Sequence, residues 1–68
     1  DNMDNLAKDI AKGNGEYLET LALLMNVPES EKQQFFTKLQ SNFNKIYTSN
    51  DVTSTEVVKN IEAVLQNS

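Results

Sequence analysis

The sequence predicts an all-α domain: a small bundle of three or four short helices, with a break or kink at Gly13–Gly15. Three observations carry this reading. Apolar residues recur at helical spacing in four separate runs. No segment alternates convincingly with period two, so no strand is expected. Glycine, proline and cap-forming polar residues stand between the runs.

In the first run, Met3, Leu6, Ala7 and Ile10 share one face, with Asp4, Lys8, Asp9 and Lys12 mostly opposite. The stretch Ala11-Lys12-Gly13-Asn14-Gly15-Glu16-Tyr17 follows and holds both glycines of the chain. A phosphate loop would need a preceding strand and a Gly-Lys-Ser or Gly-Lys-Thr, and neither is present. One continuous helix over residues 3–25 would be about 35 Å long, too long for a domain whose radius of gyration should be about 11 Å. It would also turn Asn14 into the apolar stripe, where its amide would need buried partners. A break is therefore expected, with Gly13 in the left-handed position that ends a helix and Glu16 in the first turn of the next.

The second run aligns Tyr17, Leu18, Leu21, Leu24 and Met25. Leu23 points about 180° from that stripe, so it is expected to be exposed and is the candidate partner contact. Asn26-Val27-Pro28 ends the run, because proline suits the start of a helix and not its continuation. The third run is the clearest: Phe35, Phe36, Leu39, Phe43, Ile46 and Tyr47. Tyr47 is expected to bury its ring and keep its hydroxyl at the surface. Thr48-Ser49-Asn50-Asp51 reads as a loop. In the fourth run, Val57, Val58, Ile61, Val64 and Leu65 line up, and Gln66 to Ser68 should fray. Ser30 with Gln33 and Thr53 with Glu56 have the spacing of capping boxes. The expected core is Leu6, Ile10, Leu18, Leu21, Phe35, Leu39, Phe43, Ile46, Val58, Ile61 and Leu65.

Composition excludes more than it assigns. Residues 1–68 form one helical domain with a modest core and no cysteine to reinforce it. The net charge is −4, and the six lysines are scattered among carboxylates. The basic stripe of a nucleic-acid binder is missing. The longest apolar run, Leu21 to Met25, falls far short of the roughly 20 residues a bilayer crossing needs. The chain has no signal peptide and begins at Asp1, which suggests a processed protein or an excised domain.

Histidine, cysteine and arginine are absent, so the commonest general base, the thiolate nucleophile and soft metal sites are absent with them. Glu16 and Glu19 have helical spacing, but a solvated charged face explains them better than acid–base work. Asp51 and Glu62 occupy the first and twelfth positions of a would-be calcium loop, but Glu56 stands where glycine is required. No serine has the Asp-Ser-Leu setting of an acyl carrier protein. The aromatic residues have the spacing of core, not of a base-stacking platform. No catalytic, cofactor-binding or metal-binding residue is expected.

Several elements together resemble one family. They are Leu6-Ala7-x-Asp9-Ile10-Ala11, Gly13-x-Gly15-Glu16, Leu18 to Met25, Gln40-x-Asn42-Phe43, Ile46-Tyr47-x-Ser49 and Val57 to Ile61. The chain resembles the bacterial domain of unknown function numbered 3015 over nearly all its length. The resemblance implies a small exported protein, periplasmic or secreted. In such proteins a signal peptide and a glycine-rich, cysteine-containing part precede this helical C-terminal part. It implies no established activity, so no catalytic residue is carried over. Two readings follow. The first is a non-catalytic interaction or structural module, a monomer or weak homodimer with a protein partner. The second is a small-ligand-binding or carboxylate-based enzyme domain, which would show a cleft where Glu16 or Tyr17 meets another polar group.

Overall fold

The computed structural model describes residues 2–66, with side chains from Asp4 onward. Helix α1 spans Asn2–Lys12, α2 Glu16–Leu24, α3 Lys32–Ser41, α4 Phe43–Ile46 and α5 Ser54–Gln66. A single 3₁₀ turn, Glu29–Glu31, leads into α3. No strand occurs among the described residues. The expected all-α bundle is present, and the third run is divided into α3 and α4. Asn42 makes the division: its side-chain amide donates to the Lys38 carbonyl at 2.8 Å, and its backbone leaves helical geometry.

The Gly13–Gly15 segment is a full break. Gly13 has φ of 84°. Its N–H donates to the Ile10 carbonyl at 3.2 Å, and the Asn14 N–H donates to the Asp9 carbonyl at 3.2 Å. These two bonds are the Schellman pattern, which closes a helix through one left-handed residue. Helix α2 ends the same way. Asn26 has φ of 59°, its N–H reaches the Leu23 carbonyl at 3.1 Å, and the Val27 N–H reaches Ala22 at 2.9 Å. Asn26 therefore stops α2 before Pro28, which sits at φ −63° ahead of the 3₁₀ turn. The Thr53–Glu56 box forms in both directions, with the Thr53 N–H on Glu56 Oε1 at 2.9 Å and the Glu56 N–H on Thr53 Oγ1 at 3.2 Å. The Ser30–Gln33 box does not form. Residues 29–31 wind into the 3₁₀ turn instead, and α3 starts without a side-chain cap.

Helix α3 is the centre of the bundle and packs on each of the other four helices. It buries Phe35, Phe36 and Leu39 against Ile10, Leu18, Ala22, Ile46, Val57, Ile61 and Val64. Leu6, Leu21, Phe43 and Leu65 are half-buried at the margin of this core. Two expectations are corrected. Val58 is 55% exposed, because α5 directs Val57, Ile61 and Val64 inward and Val58 falls on the flank. Leu24 is 74% exposed, since Leu18 and Ala22, one turn apart, form the buried line of α2. Tyr17 is also largely exposed. The side chain of Met3, residue 67 and residue 68 lie outside the described residues. The radius of gyration is 10.9 Å and the longest extent is 33 Å, so a single helix across the glycine pair would not fit.

Candidate functional site

Three places hold the chemistry of the chain. The first is the α1–α2 junction. Asp9 is only 7% exposed and is the one charged residue buried among those described. Its Oδ2 accepts the N–H of Tyr17 at 2.7 Å and of Leu18 at 3.4 Å. These are orphan donors in the first turn of α2, whose own cap position, Gly15, has no side chain to satisfy them. A carboxylate there is also favoured by the positive end of the helix. Lys12 adds a longer contact to Oδ1 at 4.0 Å. The only anion at this helix start is thus the protein's own, which agrees with rejecting a phosphate loop.

Glu16 and Glu19 do not form an acid–base pair. Glu19 Oε1 accepts Lys32 Nζ at 2.8 Å, and Glu29 accepts the same ammonium at 3.0 Å. The hydrogen bond to Glu19, then that to Glu29, holds the Lys32 pKa above its ordinary value. Tyr17 accepts a hydrogen bond from Asn5 at 3.2 Å. The concavities described below are lined by neither Glu16 nor Tyr17. Among the described residues, no group of three or more acidic, histidine or cysteine side chains is gathered for a metal ion. The would-be calcium loop is instead the capped start of α5.

The second place is an apolar face where α2 meets α5. Leu21, Met25, Val58, Ile61 and Glu62 line a small hollow of about 140 Å³. Met25 and Leu65 continue into a groove of about 410 Å³, whose wall includes Val27, Phe35, Glu31 and Lys38. Exposed Leu24 adjoins Met25 at its edge. Leu23 is exposed to the same degree, as expected, but lines none of these concavities and leaves α2 on the other side.

The third place is a hollow of about 450 Å³ between Asp4 and Ala7 of α1, Phe43 and Tyr47 at α4, and Thr48, Ser49, Asn50 and Val52. The Tyr47 ring stacks on Phe43 one turn earlier, with centroids 5.1 Å apart and planes at 26°. The Tyr47 hydroxyl is buried and has no hydrogen-bond partner, which corrects the expectation that it reaches the surface. Burial, with a smaller part from the Asp4 carboxylate, raises its pKa. A phenol hydroxyl has no sequence periodicity of its own, so nothing in the pattern foretold its position.

A family model described as "Protein of unknown function (DUF3015)" matches residues 1–68. The chain belongs to the DUF3015 family. No curated protein and no solved structure matches it. The family assignment covers the whole DUF3015 chain, including all three places above.

Proposed function

We propose that this DUF3015 chain is a non-catalytic interaction module that pairs weakly with a second copy of itself through the α2–α5 face. The observation that carries the reading is the neighbourhood of Leu24 and Val58, 74% and 55% exposed, with the groove beside Met25 and Leu65. A protrusion and a recess on one face suit a two-fold interface, in which each copy both gives and receives the same contact. The wall carries both signs, Lys38 with Glu31 and Glu62, so a lysine of one copy can meet a carboxylate of the other.

The pairing is weak for two reasons. A specific interface buries about 600 Å² or more per partner, roughly an eighth of this chain's 4726 Å². Each copy also carries a charge of −4, and like charges oppose association. A non-catalytic reading is supported by the commitment of the carboxylates: Asp9 caps α2, Glu56 caps α5, and Glu19 holds Lys32.

Mixed-isotope nuclear magnetic resonance tests the pairing. Contacts between the Leu24 methyls of one copy and the Phe35 ring or Leu65 of another are expected. Purely intramolecular contacts at high concentration contradict the proposal. Export to the periplasm or medium, supported by the family resemblance, belongs to the same proposal. Fractionation of the native host should recover the protein outside the cytoplasm, and recovery in the cytoplasm alone would refute export.

A further inference from the structure

We propose that the hollow between α1 and the segment 47–52 binds the primary ammonium group of a small organic amine. The site lies apart from the pairing face and shares no lining residue with it. Its volume, about 450 Å³, is in the range of small-molecule sites.

Its lining contains one charged residue, Asp4, and that charge is negative. An anion would meet repulsion there and no compensating lysine. A cation meets Asp4 and the π system of the Phe43–Tyr47 stack, whose ring faces attract positive charge. The Tyr47 hydroxyl has an oxygen with no donor directed at it. Thr48, Ser49 and Asn50 add hydroxyl and amide oxygens to the wall. A primary ammonium carries three N–H donors and no acceptor. It can use the carboxylate, the phenol oxygen and one further oxygen at once. A quaternary ammonium keeps the charge and loses all three donors, and an alcohol of the same shape loses the charge. The apolar part of the ligand would lie along Ala7, Phe43 and Val52.

The test is a backbone chemical-shift titration of the whole chain with n-butylammonium, and with n-butanol and tetramethylammonium as controls. Saturable shifts are expected at Asp4, Phe43 and residues 47–50. None is expected with n-butanol, and weaker ones with tetramethylammonium. Asp4→Asn should weaken the butylammonium affinity about tenfold, and Tyr47→Phe should weaken it several-fold while the remaining resonances stay in place. Shifts that fail to saturate, that spread equally to distant carboxylates such as Glu16 and Glu62, or that survive both substitutions would overturn the proposal. Leu24→Asp should leave amine binding intact, so failure here and failure of the pairing are separate results.

Discussion

A Cβ atom built on Gly15 would fall on the carboxylate of Asp9. The glycine is required because a side chain from the preceding helix fills its place. Asp9 serves both helices: its backbone carbonyl closes the end of α1, and its carboxylate caps the start of α2. Gly13 plays a different part. A Cβ there would approach only the end of the Gln40 side chain, at 3.2 Å. The Gln40 amide donates to the Ala11 carbonyl at 2.9 Å and ties the end of α1 to α3.

The two glycines should therefore respond unequally to alanine. Gly13→Ala places a left-handed φ on a residue with a Cβ and should cost about 1–2 kcal/mol. Gly15→Ala adds displacement of the cap to backbone strain and should cost about 2–4 kcal/mol. Urea unfolding measures both. In an Asp9→Ala background the further cost of Gly15→Ala should shrink, because the space is vacated and the cap already lost. Equal costs in the two backgrounds would separate Gly15 from Asp9.

The start of α5 should carry a pH signature. The Glu56 carboxyl is held below its ordinary pKa, chiefly by the Thr53 backbone N–H and then by the Thr53 hydroxyl. A depressed folded pKa gives stability that is fully present above the unfolded pKa and is lost as pH falls through the folded value. Glu56→Gln should thus be the less stable protein at neutral pH, with the difference closing at acid pH. A difference that stays constant from neutral to acid pH would contradict the assignment. Thermal melts across that range decide it.

How far the sequence disclosed this fold depends on the residue. The Thr53–Glu56 box and the left-handed Gly13 were legible because local chemistry alone fixes them. The central line of α3 was legible from its spacing. Val58 was misplaced because adjacent valines differ by only about 100° around a helix, and the packing of α5 on α3 and α4 chose Val57. Ala22 was missed because close helix approach selects a small residue there, not a strongly apolar one. Asp9 was read as part of a polar face. Its partners lie eight and nine residues away across a break, and spacing within one helix carries no signal of them. The Tyr47 hollow is assembled from α1, α4 and a loop, so only tertiary structure reveals it.

Tyr47→Phe should stabilise the chain. The substitution keeps the stack on Phe43 and removes a buried hydroxyl without a partner. Relief of that desolvation is worth about 1 kcal/mol. A rise in the urea midpoint is expected, and a fall would mean that the hydroxyl makes a favourable bond in solution.

The core should grade by burial. Leu39→Ala, at the centre of α3 and fully buried, should cost about 2–5 kcal/mol. Phe43→Ala should fall below the 3–5 kcal/mol of a central phenylalanine, since Phe43 is half-buried. Val58→Ala should cost less than about 1 kcal/mol on its exposed flank. Unfolding midpoints in that order support the core described here. A Val58→Ala protein as unstable as Leu39→Ala would place the wrong face of α5 inward.

The pairing of two copies is tested most directly by solution mass from light scattering over a concentration series. Wild type should rise from the monomer mass toward twice that value as concentration increases. Leu24→Asp should stay at the monomer mass throughout, while Leu23→Asp, on the other side of α2, should behave as wild type. A wild-type chain that remains monomeric at the highest concentration, or a dimer that survives Leu24→Asp, would contradict the account.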